Sequence, residues 1–590
     1  MPDRLAAELL VERLIDWGVD TVFGLPGDGI NGIMEALRRH KDQIRFLLVH
    51  HEEAAAFMAC GHAKQTGRLG VCVATSGPGG IHLLNGLYDA KLDHQPVLAI
   101  TGTQPTSVLG TEFQQEVHLE KAFIDVARYD MLITNPVSIT ALVDNAVRTA
   151  LAYRTVTHLT IPVDIQESTD LQNPYEGGLG TARAPQSAPT FTPAPGTPGD
   201  HLLRNAADML NGGTKVAMLV GQGALGARTE VLAVAARLKS PIVKSLLGKA
   251  VVPDDHPYTT GGLGLLGTRP SEDVMEHCDT LFMVGTSFPY TAFLPEPGAV
   301  HCVQIDVDPV RAANRMPTHV PIVGDSREAL QALLPQLADK TDDRFLRGAQ
   351  EGMRSWRREI AALEDPDRVP IQPQYLMRAL DDLTSDDAIL CCDTGTIATW
   401  AAQHWNIRGT REFYLSGNLA TMAPGLPYAI GIQHAYPGRQ VIAFIGDGGF
   451  AMLMAEFHTA AWHGLPVKVV INNNNSLGQI LWEQMVLGYP EHGVRFGDPQ
   501  PDYAAWARAA GGVGVHVDKP GDLPGALEEA FAHPGPALVD VAVDPNEPPM
   551  PGKVSYEQAK KFAEAFLRGQ PHKAAIATTL YKDRIEQLKA

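Results

Sequence analysis

The chain has 590 residues, 45% of them hydrophobic, and a formal net charge of −19, enough length for three or four domains of roughly 100–200 residues, each with its own core. The acidic balance excludes nucleic acid as a principal partner, because that binding needs a dense basic face. The six cysteines form no C-x-x-C pair and fit a reduced, cytoplasmic protein, and no apolar run approaches the roughly 18 residues that span a bilayer.

After Met1-Pro-Asp-Arg4, which leads into an amphipathic helix, helical and apolar strand-like segments alternate over residues 1–176. The predicted order is helix Ala6–Trp17, strand Thr21–Phe23, helix Ile30–Arg39, strand Phe46–Val49, helix Glu53–Thr66, strand Val71–Ala74, helix Gly80–Lys91 and strand Val97–Thr101. This alternation predicts a doubly wound parallel sheet. Residues 177–199, rich in Gly, Pro, Ala and Thr, read as a linker. A second α/β unit follows at 200–340, with strands Val216–Val220, Ile242–Ser245, Thr280–Val284 and Cys302–Ile305. Residues 341–371 read as a linker helix ending in the Pro-rich break Asp365–Pro373, and a third unit occupies 372–545. The tail, 546–590, ends in the mildly amphipathic stretch Ile576–Leu588; a solvated helix is the expected role, with reversible lipid contact the alternative. The fold class expected is α/β, with three doubly wound parallel-sheet domains plus a C-terminal tail.

In the third unit the apolar run Val441–Ile445 ends in Gly446-Asp447-Gly448, and 24 residues separate Gly448 from Asn473-Asn474, which close a second apolar run, Val467–Ile471. Gly-Asp-Gly at a strand end lets backbone approach a diphosphate, while an Asp carboxylate and an Asn carbonyl supply hard oxygen ligands for Mg²⁺ or Ca²⁺. The stretch Phe450–Trp462 reads as a helix, so the ligands fall at the carboxyl ends of neighbouring parallel strands. In the first unit, Glu52 stands in His50-His51-Glu52-Glu53 at a helix start, a position where an acid ordinarily partners the helix dipole.

The Gly-Asp-Gly to Asn-Asn pair resembles the diphosphate-metal motif of thiamine diphosphate enzymes. His51-Glu52-Glu53-Ala54, Ser76-Gly77-Pro78-Gly79, Gly285–Tyr290, Ala420-Thr421-Met422 and Lys553-Val554-Ser555 extend the likeness. Together they resemble the pyruvate oxidase and quinone-dependent pyruvate dehydrogenase branch, with acetolactate synthases as wider relatives, collinearly over essentially the whole chain.

The resemblance implies a pyrimidine-binding domain at 1–176, a central FAD-type domain at 200–340 and a diphosphate-binding domain at 372–545. It implies that Glu52 bonds N1′ of the aminopyrimidine and that Met422 wedges the cofactor into a bent shape. Mg²⁺ would be held by Asp447, Asn474 and Ser476, with Ala420, Thr421, Gly446, Gly448, Gly449, Leu477, Gly478 and Gln479 around the cofactor. Gln115 would be a second catalytic residue. Leu263, Gly264, Leu265, Leu266, Thr286, Ser287, Phe288, Pro289, Tyr290 and Asp306 align with flavin-contacting segments; on spacing alone, Gly221–Gly226 is a weak dinucleotide signal.

The implied activity is decarboxylation of pyruvate or a similar 2-oxo acid, with oxidation of the hydroxyethyl enamine through FAD to acetate or acetyl phosphate and quinone or O₂ as acceptor. The implied assembly is a homodimer or homotetramer with active sites across the subunit interface. Two aromatic positions of that branch are amides here, Gln114 and Gln479, which with Trp482 are the expected substrate-pocket residues. The exchange keeps open an acetolactate-synthase-like carboligase with structural or absent FAD. A non-catalytic scaffold would be expected to lack Glu52, which is present.

Overall fold

The computed structural model describes residues 4–171, 186–193, 198–553 and 556–589. Most of the expected linker 177–199, residues 1–3, and Val554 and Ser555 lie outside the described residues. Three six-stranded, all-parallel sheets are present. The first contains β1 (Thr21–Leu25), β2 (Arg45–Leu48), β3 (Gly70–Ala74), β4 (Val97–Thr103), β5 (Tyr129–Leu132) and β6 (Val156–Pro162). The middle one contains β7 (Val216–Val220), β8 (Ile242–Lys244), β9 (Thr259–Gly262), β10 (Thr280–Val284), β11 (His301–Asp306) and β12 (Val320–Val323). The third contains β13 (Ile389–Cys392), β14 (Glu412–Tyr414), β15 (Val441–Gly446), β16 (Lys468–Asn473), β17 (Val513–Val517) and β18 (Ala537–Ala542).

Helices cover both faces, so central strands such as β7 and β15 are buried along nearly their whole length and read as unbroken apolar runs rather than alternating ones. The first and third sheets share one topology, β2-β1-β3-β4-β6-β5 and β14-β13-β15-β16-β18-β17. The middle sheet runs β9-β8-β7-β10-β11-β12, the 3-2-1-4-5-6 order of dinucleotide-binding folds. In such open sheets the ligand crevice lies where the strand order reverses. In the third sheet that point falls between β13 and β15, directly above Gly446-Asp447.

Two predicted helices are broken. The stretch expected as one helix over 450–462 is two, Asp447–Leu453 and Glu456–Trp462, and Trp506 Nε1 donates to the Met454 carbonyl at the break (3.3 Å). The expected helix 80–91 divides at Leu83 into Pro78–His82 and Leu84–Leu92. Residues 341–371 carry the helix Arg344–Ala361, and the tail forms Tyr556–Leu567 and Lys573–Lys589.

The first and third sheets share a core through the helices Glu52–Thr66 and Gly425–Ala435. Burial on all sides explains why Ala54-Ala-Ala-Phe-Met-Ala-Cys-Gly61 shows no polar face. A Cβ on Gly61 would lie 2.8 Å from Tyr428 Cα, and one on Gly431 would lie 2.4 Å from Met58 O, so only glycine permits this helix crossing. Lys64, 4% exposed, straps the two units: its Nζ donates to Asp93 Oδ2 (2.7 Å), Leu415 O (2.6 Å) and Tyr428 Oη (2.9 Å). Among the described residues no helix is long and apolar enough to cross a membrane.

Candidate functional site

β15 and β16 are paired in parallel with Gly446 opposite Asn472, which brings their following loops together as the motif spacing predicted. Asp447 is 3% exposed, and the N–H groups of Gly448 and Asn475 turn toward its carboxylate. Burial, with a smaller contribution from the Asp540 charge, raises its carboxyl to about 7 against those N–H donors. Asn474 Oδ1 accepts from Ser476 N (3.1 Å), and Asn475 adopts a left-handed φ of +52° at the turn. A Cβ on Gly478 would be 2.6 Å from Asn474 Nδ2, so the glycine lets the next helix, Gly478–Val486, start against the amide.

Among the described residues Asn472 Oδ1, Asn475 Oδ1 and Ser476 Oγ are buried without a hydrogen-bond partner. The buried Asp447 carboxylate, which meets no cation among the described residues, beside these amide and hydroxyl oxygens is a donor set that suits a hard divalent ion such as Mg²⁺. Asn473 is engaged at both ends of its amide: Nδ2 donates to Asp540 Oδ1 (3.0 Å), whose other oxygen meets His516 Nδ1 (2.8 Å), and Oδ1 accepts from Asn475 N (3.2 Å).

Glu52 opens its helix rather than preceding it, and is 6% exposed. Its Oε2 accepts from His82 Nδ1 (2.9 Å), and His82 stacks on His51 at 4.5 Å. Glu53 N donates to His51 Nδ1, so neutral His51 carries its proton on Nε2. One hydrogen bond, His82 to Glu52, and one ring stack, His82 on His51, join the three side chains, whose ligating atoms lie within 4.8 Å of one another. The Glu52 turn is held from the third unit: buried Glu456 accepts from His50 N (3.1 Å) and His51 N (3.0 Å) through one oxygen and from Thr459 Oγ1 (2.7 Å) through the other.

Gln115, with φ of +60°, sits over the Ser76-Gly77 turn, where Ser76 Oγ is 3.5 Å from its Oε1; a Cβ on Gly79 would lie 3.2 Å from Glu52 Oε1. Gln115 and Glu52 thus border one turn, with Gln114 exposed beside them. Gln479 is half-buried and donates to Glu483 Oε1 (2.9 Å). Trp482 is 5% exposed and stacks on Phe562 of the tail (6.2 Å), within a cluster that includes Leu481, Met485, Ala565 and Ile576 and against which Leu477 packs. Its indole is covered by the tail helices.

Met422 is half-buried on a loop where Ala420 and Ala423 hold left-handed φ values of +53° and +81°. Thr421 N donates to Ser416 Oγ (3.2 Å), and Thr421 Oγ1 accepts from Asn85 Nδ2 (3.0 Å), which also donates to Glu53.

In the middle unit Leu263 and Phe288 are buried, while Leu265 and Tyr290 are nearly half exposed. Gly264, at φ +99°, comes against Phe288 Cζ, 3.3 Å from where its Cβ would be, and Phe288 and Tyr290 meet edge to face at 5.9 Å. Thr286 and Asp306 are buried at the carboxyl ends of β10 and β11, and Gln304 Nε2 donates to Thr286 O (3.1 Å). Burial raises the Asp306 carboxyl, which accepts from Asp308 N (3.0 Å). Leu266 packs instead on the third unit's core. A separate 480 Å³ groove lined by Lys215, His277 and Phe345 contains none of the motif residues.

Four residues at this centre were not foreseen: His82, Asp393, Glu456 and Asp540. Asp393 carried a usable signal, an acid directly after the apolar run Ile389–Cys392, which is the pattern Asp447 shows after β15. The others are distant in sequence from the groups they touch.

Three stretches match thiamine pyrophosphate (diphosphate) enzyme domains: the N-terminal TPP binding domain over 4–122, the central domain over 203–333 and the C-terminal TPP binding domain over 393–541. A Bacillus subtilis protein, YdaP, named as thiamine pyrophosphate-containing, is 39% identical over 568 residues, covering 96% of each chain. The pyruvate oxidase of Lactiplantibacillus plantarum is 31% identical over 569 residues, covering 95% of this chain and 93% of its own. The acetolactate synthase isozyme 1 large subunit of Escherichia coli is 30% identical over 552 residues, covering 92% and 94%. With all three domains matched in order on three parallel sheets, the chain belongs to the thiamine pyrophosphate enzyme family.

Proposed function

We propose that this protein is a thiamine diphosphate-, Mg²⁺- and FAD-dependent enzyme that decarboxylates pyruvate or a similar 2-oxo acid and passes the electrons to flavin. Acetate or acetyl phosphate is the product, and quinone or O₂ the final acceptor. The observation that carries the cofactor assignment is the meeting of buried Asp447 with the Asn474–Ser476 loop at the reversal point of the third sheet. When bound, the cofactor supplies a nucleophilic C2 and the electron sink that lets CO₂ leave.

The chain's own residues do the rest. Asp447, Asn474 and the Ser476 carbonyl would hold the metal that neutralises the diphosphate. Glu52, poised against His82, would hold a proton at N1′ of the pyrimidine, the acid–base role that residue would supply. Met422 would support the bent form of the bound cofactor, and Gln115 would offer its amide to the 2-oxo acid. The 3-2-1-4-5-6 order of the middle sheet, with Gly264, Phe288, Tyr290 and Asp306 at its carboxyl edge, supports a flavin there. Glu52 and Asp447 are brought together across the interface of a homodimer or homotetramer. Six buried free cysteines fit a cytoplasmic setting.

A second reading is carboligation with an inert or absent flavin. Gln114 and Gln479 favour it, since two amides make the pocket more polar, and acetolactate synthases match this chain about as well as pyruvate oxidase does. Anaerobic mixing of the purified protein with pyruvate decides. Bleaching of a flavin band supports oxidation; an unbleached or missing band with acetolactate formed would sink it.

A further inference from the structure

Asp393 follows Cys392 at the end of β13, on the opposite side of the sheet-reversal point from Asp447, and is fully buried. Its backbone is fixed by Asp393 N donating to Phe444 O (3.0 Å). Both carboxylate oxygens accept from one N–H, that of Ala423, at 2.8 and 3.0 Å, and Oδ1 also takes Thr394 N at 2.6 Å. No cation faces it among the described residues; backbone N–H groups are its partners, and burial raises its carboxyl to about 7. On its other side it lies against the diphosphate motif: a Cβ on Gly449 would be 2.5 Å from Asp393 Oδ2.

The segment it holds is strained. Ala420 and Ala423 both sit in the left-handed region, at φ +53° and +81°, which L-alanine adopts only when its surroundings over-determine the backbone. Met422 lies between two anchors, Thr421 held by Ser416 and Asn85 on one side and Ala423 held by Asp393 on the other. A buried carboxylate whose two oxygens bridge the Ala423 N–H, with Thr394 N as a further donor to Oδ1, holds that N–H in place, since releasing it would leave buried charge poorly satisfied.

We propose that Asp393 is a positioning residue that clamps the Met422 loop to the Gly446–Gly449 segment, fixing the height of the Met422 side chain relative to the diphosphate site. The same carboxylate thereby ties the bend imposed on the cofactor to the anchoring of its diphosphate. This inference rests on the thiamine diphosphate reading of Met422.

The test uses the full-length protein and the variants Asp393→Asn, Asp393→Ala and Glu52→Gln. Backbone hydrogen exchange of the 416–426 segment is read by mass spectrometry without cofactor, and exchange of the C2 proton of added thiamine diphosphate is read by NMR. Removing the clamp should speed amide exchange at Ala423 and slow C2 exchange roughly 10- to 100-fold, the scale of ångström misplacement. Cofactor affinity, read by fluorescence, should change much less than C2 exchange. Asp393→Asn keeps one acceptor oxygen for Ala423 and should fall between; if Asp393→Ala does not fold, the Asn variant decides.

Wild-type amide protection, or wild-type C2 exchange in a folded Asp393 variant while Glu52→Gln loses it, overturns the clamp. Unaltered C2 exchange in Glu52→Gln would instead overturn the reading of the site, and the clamp would then be judged on amide exchange alone.

Discussion

Replacing Lys64 by Met tests how the Glu52 helix is joined to the third unit. The ammonium is 4% exposed and lies 2.7 Å from Asp93 Oδ2 and 3.8 Å from Asp89 Oδ2, both carboxylates being fully buried. Burial raises the Asp89 carboxyl; it pushes Asp93 up too, but Lys64 and the Gly417 N–H outweigh it and leave Asp93 below the usual carboxylate range. Taking away one partner of a buried charge cluster costs about 3–5 kcal/mol. The cost depends on pH, and its sign follows from linkage. In the wild type, depressed Asp93 contributes stability that is present above its unfolded pKa and lost as pH falls. In the variant, both folded carboxyls rise above their unfolded values, so stability is retained at low pH and lost as pH increases.

The gap between the two proteins should therefore be about 3–5 kcal/mol at pH 8 and clearly smaller at pH 5, measured from urea midpoints of the transition that unfolds the shared core. Adding Asp93→Asn should recover more than about 1 kcal/mol through coupling. Cofactor affinity should fall as well, because Asp93 also accepts from Gly417 N and Asn418 N (2.9 Å each), at the root of the Met422 loop. A cost below about 1 kcal/mol at pH 8, or one equal at both pH values, would refute the strap.

Glu456→Gln keeps an acceptor for His50 N and His51 N but cannot ionise. Burial raises the wild-type carboxyl to about 7, so its contribution is full below the unfolded value and lost as pH rises through 7; the variant should gain on the order of 2–3 kcal/mol relative to wild type between pH 5 and 8, and parallel stability curves would contradict this. Asp447→Asn should weaken Mg²⁺-dependent binding of thiamine diphosphate more than ~10²-fold, beyond the 10- to 100-fold typical of losing a supporting residue, and calorimetry with and without chelator reads it. Trp482→Ala should cost about 3–5 kcal/mol and expose the tail helices to protease with KM for pyruvate little changed. A raised KM with an unchanged tail would instead mark Trp482 as a substrate-pocket residue.

Much of the fold was legible because parallel strands buried on both faces leave apolar runs that cannot be mistaken for surface segments. β7 and β10 fall where the sequence placed them. Of the strands not foreseen, β5, β9 and β12 fit the converse reason: Tyr129–Leu132 and Thr259–Gly262 mix polar or glycine residues with apolar ones, and Val320–Val323 alternates buried and exposed positions at a sheet edge; β6, β13, β14, β17 and β18 were not foreseen either, although β6 and β13 are buried throughout. The break at Met454 was illegible, since the side chain that meets its carbonyl is Trp506, far along the chain.

By itself the sequence determined that the Gly-Asp-Gly and Asn-Asn segments meet, because Asp447 and Asn474 lie one crossover apart and a parallel β-helix-β unit brings them to the same end of the sheet. Glu52 could be located but not partnered. That His82 meets its carboxylate, that Glu456 holds its turn and that Asp393 grips the Met422 loop were decided only when separate helices and sheets packed. Element type follows from local periodicity and the hand of each crossover from backbone chirality, whereas strand order is tertiary: the same alternation gives 2-1-3-4-6-5 in the outer sheets and 3-2-1-4-5-6 in the middle one. The side chains that set a carboxylate's environment come from elements up to about four hundred residues apart, and only tertiary burial selects which of them meet.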